Sequence, residues 1–212
     1  MKPGGKTVVD ISFKVVLPHI QDRFGYFNGV YCLGNWYPVL AVYDEEGWDR
    51  EPYYAHGESF YQEVADYRVW ICVPSGVVVA AAGRLEKVVE NANGTATFVY
   101  FADNVRDYVI VASRYFKVVE KDVGGVRVYS YFLSEDERYG RKALEIAEKA
   151  LTVFSEHFGE YPYPEFRVVE TFGWFGGMEY PTLVMITKSL YSDRARDYFE
   201  MVIAHETAHQ WW

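Results

Sequence analysis

Near Ser134 the spacing of apolar residues changes from every second position to every third or fourth. Period two puts alternate side chains on one face of a strand, and period 3.6 puts them on one stripe of a helix. A chain with this break is expected to build a β part first and then a part in which helices cover a sheet.

Before the break, Ile11, Phe13, Val15 and Leu17 alternate over residues 7–17, a half-buried strand ended by Pro18. Residues 25–41 are rich in Gly, Asn and aromatics with poor periodicity, and 43–59 reads as a loop anchored by Trp48 and Pro52. Strand signals resume at 66–73, closed by Pro74-Ser75-Gly76. Two hairpins are expected, 84–90 with 95–101 around Asn93-Gly94, and 108–120 with 126–133 around Gly124-Gly125. Residues 1–133 are therefore expected to form an antiparallel β domain.

After the break, Ser134 with Glu137 has the spacing of a capping box, and Leu144, Ala147, Leu151, Phe154 and Phe158 form an apolar helical stripe stopped by Gly159. Pro162 and Pro164 prevent the helix from resuming. Strands are expected at 166–172 and 183–187, joined by a glycine-rich loop over 173–181. Ser192 or Asp193 is placed to cap a last helix over 197–212. Residues 134–212 are thus expected to begin an α+β domain.

The formal net charge of −9 over 212 residues, with no basic cluster, argues against nucleic acid and against an anionic membrane surface. Cys32 and Cys72 lack the C-x-x-C spacing, so a sulfur-ligated metal or a disulfide framework is not expected, and both are read as buried free thiols. No apolar run reaches transmembrane length, and residues 1–5 do not resemble a signal peptide, so the compartment stays unassigned. Asn93-Gly94-Thr95 is a formal glycosylation site but reads first as a turn.

His205-Glu206-Thr207-Ala208-His209 lies in the last helix. Residues four apart are about 40° apart around a helix axis, so both imidazoles project from one face and can bind one tetrahedral ion. Glu206, one step round, is placed to take a proton from a water on that ion. The helix is apolar nearly all round, which suggests burial, where two histidines and a glutamate are costly unless satisfied. A metal satisfies them. Two core histidines bonded to backbone would be the alternative. In the preceding loop, Gly176-Gly177 admits close backbone approach to a ligand and Glu179 offers a carboxylate nearby; a tight connection with Glu179 facing solvent fits equally well.

Gly176-Gly177-Met178-Glu179, followed by a strand and then by His205-Glu206-Thr207-Ala208-His209-Gln210-Trp211-Trp212, resembles the gluzincin zinc aminopeptidase family, which includes aminopeptidase N and leukotriene hydrolase. Gly159-Glu160-Tyr161-Pro162-Tyr163, Asn35-Trp36-Tyr37-Pro38 and Gly57-Glu58-Ser59-Phe60-Tyr61 extend the likeness over nearly the whole chain. The resemblance implies a saddle-like β domain followed by a thermolysin-like catalytic domain, peptide substrates, and one Zn2+ held by His205 and His209 with Glu206 as general base. It implies that Gly176, Gly177 and Met178 border the substrate cleft and that Glu179 binds the free α-amine.

Gly177 stands where Ala is common in the family, and Tyr180 where Asn is usual, which leaves exopeptidase against endopeptidase action open. Relatives take a third zinc ligand, a Glu, from the next helix and an oxyanion-stabilising tyrosine from further on. Both positions lie beyond Trp212, so the chain is expected to be a fragment lacking both ends and inactive alone, with Glu170 and Glu179 the carboxylates that could substitute as ligands. The other readings are a thermolysin-like endopeptidase and a non-catalytic interaction scaffold of the same fold.

Overall fold

A computed structural model describes residues 4–52, 54 and 60–211. In chain order the elements are β1 (Phe24–Phe27), β2 (Val30–Leu33), β3 (Tyr43–Asp44), β4 (Gly47–Trp48), β5 (Ala65–Pro74), β6 (Val78–Ala81), β7 (Arg84–Glu90) and β8 (Thr95–Val105). They continue with β9 (Ile110–Ser113), β10 (Phe116–Val123), β11 (Val126–Leu133), α1 (Glu137–Phe158), β12 (Glu165–Thr171), β13 (Gly177–Tyr180), β14 (Leu183–Thr187) and α2 (Arg196–Ala208). The fold is mostly antiparallel sheet with two α-helices, in the order β1-β2-β9-β6, β3-β4, β5-β8-β7 and β10-β11-β12-β14-β13.

Turn chemistry sets several of these pairings. Gly124 and Gly125, at φ +60° and +92°, form the two-residue loop between β10 and β11, whose register runs Val123 against Val126 to Phe116 against Leu133. Asn28 and Gly29, at φ +45° and +76°, do the same between β1 and β2. All of that hairpin but Phe24 lies inside 25–41, where no strand is expected from periodicity. Asn93-Gly94 falls in the β7–β8 turn, with Gly94 at φ +77°.

Several expectations are corrected. Residues 7–17 form no strand; Val8, Val9, Ile11 and Phe13 are exposed, because no neighbouring strand pairs with them among the described residues. The run 108–120 is broken at Ser113, whose hydroxyl accepts from the Tyr115 N–H at 3.1 Å, so β9 joins the first sheet and β10 the five-stranded one. The Ser134 capping box does not form: residues Ser134–Asp136 make a 3-10 turn and no side chain caps α1. Phe158 is exposed, and the buried stripe of α1 is Tyr139, Gly140, Ala143, Ile146, Ala147, Ala150 and Leu151. Trp48 is half-exposed and meets Tyr43 edge to face, and Cys72 is exposed while Cys32 is buried. Gly57, Glu58, Ser59 and Trp212 lie outside the described residues.

The five-stranded sheet positions the site. β12 pairs in parallel with β11 on one side and with β14 on the other, and β13 pairs antiparallel to β14 at the edge. The sheet spans the period change, since β10 and β11 precede residue 134 and β12 follows it. β14 and all but the first residue of β12 are buried, as expected for central strands covered on both faces. Alternation divides the side chains. Val128, Phe132, Phe166, Val168, Val184 and Ile186 meet α1 and α2, whereas Tyr131, Leu133, Val169, Leu183 and Met185 meet the smaller β-sheets. No helix among the described residues is long and apolar enough to cross a membrane.

Candidate metal centre and cleft

α2 begins without the side-chain cap expected from Ser192 or Asp193. The Asp193 carboxylate instead accepts from the Tyr139 hydroxyl at 2.7 Å and pairs with Arg138 at 3.1 Å, tying the helix start to α1. The helix ends at Ala208 rather than running to 212. Its last turn tightens, with the Gln210 N–H donating to the Thr207 carbonyl at 3.1 Å and the Trp211 N–H to that of Ala208 at 3.0 Å. His209 is the C-cap and keeps helical backbone angles, so it still stands one turn from His205.

The helix is not buried all round, which corrects the expectation from its composition. Phe199, Val202, Ile203, Glu206 and Thr207 face the sheet and α1. Burying side chains such as Phe199 and Ile203 stabilises the fold by about 1.5–3 kcal/mol each. Tyr198, Met201 and His205 form the open stripe, with Tyr198 and Met201 52% and 53% exposed. On that stripe the His205 and His209 rings lie 4.8 Å apart between centroids at 88°, and their Nε2 atoms approach to 3.2 Å. A tetrahedral ion bound at about 2.0–2.1 Å by two nitrogens would separate them by about 3.3 Å. Among the described residues, His205, Glu206 and His209 are the group whose ligating atoms converge, all within 4.8 Å. Glu170 is not in it; its carboxylate is fully buried, accepting from the Leu133 N–H at 2.8 Å and facing Lys188 at 3.3 Å.

Glu206 is nearly buried yet lines a cleft of about 850 Å³ together with His205, Gly177, Met178 and Glu179. Gly177 lies directly against it: a Cβ on this residue would sit 2.5 Å from the Glu206 Cδ. The strand β13 supplies the opposite wall, so part of the expected loop is a strand. Its alternation puts Met178 and Tyr180 on the core face, where Met178 still borders the cleft, and Gly177 and Glu179 on the other face. Glu179 also shares a depression of about 180 Å³ with His209 and Gln210. Tyr180, buried among core residues, points its hydroxyl at Gly34 and the Asn35 amide oxygen, 3.4 Å away.

Other cleft residues are not assigned to the site from the sequence. Arg23 donates to the Met178 sulfur at 3.2 Å and lies 5.0 Å from the Phe60 ring centroid, bringing the 18–24 segment onto the cleft. Trp174, 82% exposed, stands on its rim. Asn35 forms part of the wall and donates to Asp107 at 2.9 Å. Burial pushes the Asp107 carboxyl above its ordinary range, against the lowering effect of the Tyr108 N–H and Tyr37 hydroxyl that donate to it.

Residues 142–212 match the peptidase family M1 domain. The chain is 28% identical over 224 residues, 99% of its length, to Aminopeptidase M1-A of Oryza sativa subsp. japonica. It is 34% identical over 105 residues, 45% of the chain, to Aminopeptidase N of Acetobacter pasteurianus. To Aminopeptidase M1-B of Oryza sativa subsp. japonica it is 25% identical over 162 residues, 69% of the chain. The chain spans 25%, 30% and 18% of these relatives' lengths, respectively.

Proposed function

The chain is related to the M1 aminopeptidase family, and on that premise we propose that it carries part of the active site of a zinc-dependent aminopeptidase acting on peptides. In this reading His205 and His209 hold the ion, Glu206 is the general base, Glu179 receives the substrate α-amine, and Gly176, Gly177 and Met178 border the bound peptide. Most of residues 1–133 belong to the β domain and 134–212 carry most of what opens a thermolysin-like catalytic domain, with β10 and β11 sharing the sheet of the latter. The observation that supports this most is the 3.2 Å approach of two imidazole nitrogens on the cleft-facing stripe, beside a nearly buried carboxylate.

The donor set fits zinc: two imidazoles at tetrahedral spacing beside a carboxylate. When bound, zinc supplies Lewis acidity for the scissile carbonyl and lowers the pKa of water. Glu206 takes a proton from the attacking water and returns it to the leaving amine. Glu179 pairs with the substrate ammonium, which fixes the first peptide bond over the histidine pair and restricts cleavage to one residue. The Tyr180 side chain leaves β13 on the face opposite Glu179 and reaches Gly34 and Asn35, which also line the cleft.

Zinc binding and hydrolysis of an aminoacyl anilide by the intact protein test the proposal. His205→Ala or His209→Ala should weaken zinc binding at least tenfold, in line with loss of a ligand. Glu206→Gln should keep the zinc and lose about 10²–10⁴-fold in kcat in the zinc-loaded enzyme. Undiminished turnover in Glu206→Gln would contradict the assignment, and equal cleavage of peptides with free and acetylated amino termini would favour an endopeptidase.

A further inference from the structure

The histidine pair and Glu179 sit on different elements, and one side chain joins them. Gln210 follows His209, and its carboxamide meets the β13–β14 turn twice. Its Oε1 accepts from the Thr182 N–H at 2.8 Å, and its Nε2 donates to the Tyr180 carbonyl at 3.2 Å. Tyr180 is the residue after Glu179, and its Cα partner across the hairpin is Leu183. The two bonds therefore close the end of the hairpin much as another backbone segment would.

The turn itself is held in an uncommon conformation. Thr182 has φ +65°, the left-handed region that a β-branched side chain rarely adopts, and it is fully buried. The Gly83 N–H donates to its hydroxyl at 2.6 Å and the Arg167 N–H to its carbonyl at 2.9 Å. With Gln210 on its N–H, the residue is fixed from the β6–β7 turn, from β12 and from the end of α2. On the far side, the Trp211 indole N–H donates to the Gly159 carbonyl at 2.8 Å, so the segment after His209 is braced toward both its neighbours.

Resting on the aminopeptidase reading above, we propose that Gln210 is a positioning residue that sets the span between the His205–His209 pair and Glu179. Glu179 anchors the amine and the histidines mark where the first peptide bond must lie. A clip one residue from each side fixes the distance between them. A shift of about 1 Å in such a span is enough to cost on the order of 10² in rate. Gln210 touches neither substrate nor metal in this scheme; it acts through Tyr180 and His209.

Gln210→Glu keeps the side-chain shape and the acceptor for Thr182, but replaces the donor to the Tyr180 carbonyl with a repelling oxygen. Gln210→Ala removes both bonds. The measurements are zinc content, the ratio of kcat/KM for a free-amine aminoacyl anilide to that for its N-acetylated form in the zinc-loaded enzyme, and hydrogen exchange at the Thr182 amide. Both variants should retain full zinc while the ratio falls at least tenfold, and in Gln210→Ala the Thr182 amide should exchange at least tenfold faster. An unchanged ratio with full zinc overturns the proposal, as does loss of zinc in parallel with the ratio, which would mark a purely structural role. A wild-type enzyme without zinc or without amine preference would instead overturn the aminopeptidase reading. In that case the Thr182 exchange still decides whether the clip exists, and an unchanged rate in Gln210→Ala overturns it.

Discussion

At Gly177 a single missing side chain makes room for the residue assigned as base. Its Cα lies against the Glu206 side chain, and a methyl group there would overlap the carboxylate stem. Either Glu206 turns away or β13 moves out. Ala is common at this position in the family the chain resembles, and the nearest atoms a methyl group would meet all belong to the Glu206 side chain, so that side chain is expected to give way. Gly177→Ala should therefore keep its zinc and a kcat within about tenfold of wild type. Steady-state kinetics with metal analysis check it, and a loss beyond about 10²-fold would show that the Glu206 carboxylate has no room to adjust. Tyr180 stands where Asn is usual in the family, and its side chain leaves the strand on the face opposite Glu179 to meet Gly34 and Asn35 of the cleft wall.

Between elements, the junction of β11 and α1 uses an ion cluster where the sequence suggests a capping box. Lys188, just after β14, meets Asp136, Glu135 at 3.1 Å and Glu170 of β12 at 3.3 Å. Burial pushes the Glu170 carboxyl up to about 8 from 4.5, an effect only partly offset by the Leu133 N–H and Lys188. A raised carboxyl binds its proton more tightly in the folded chain than in the unfolded one. Its contribution to stability is thus complete below pH 4.5 and is lost as pH rises through about 8. Thermal melts should show Tm falling over that window and the fall shrinking in Glu170→Gln, which keeps an acceptor for Leu133; an identical pH slope in the variant would mean that Glu170 is ionised throughout. The elements themselves were legible wherever turn chemistry was local, as at Gly124-Gly125. Alternation without a partner misled at residues 7–17. Aromatics on both faces hid β1 and β2 despite Asn28-Gly29, and the Ser113 hydroxyl turn divided a run that reads as one strand. His205, Glu206 and His209 could be read because a helix places them by local geometry. The contacts of Gln210 with Thr182 and of Gly177 with Glu206 could not, since each joins residues that only the tertiary fold brings together.

For the molecule as a whole, the five-stranded sheet is the shared wall of two cores. One lies under α1 and α2 and the other under the smaller sheets. Arg167 reaches from β12 into the core under the smaller sheets, bonding the Gly83 carbonyl and Glu165 and lying 5.1 Å from the Tyr129 ring. The cleft opens where these layers meet, with the 18–24 segment and Asn35 on one side and β13 and α2 on the other. The account therefore rests on one position in space, the point between the two imidazoles at the edge of that cleft. The most direct measurement is anomalous scattering at the zinc edge from crystals of the protein grown with zinc. One peak is expected at about 2.0–2.1 Å from Nε2 of both His205 and His209, with the Glu206 carboxylate one water away on the cleft side. Zinc bound elsewhere with no peak between these rings, or rings whose nitrogens diverge, would contradict it.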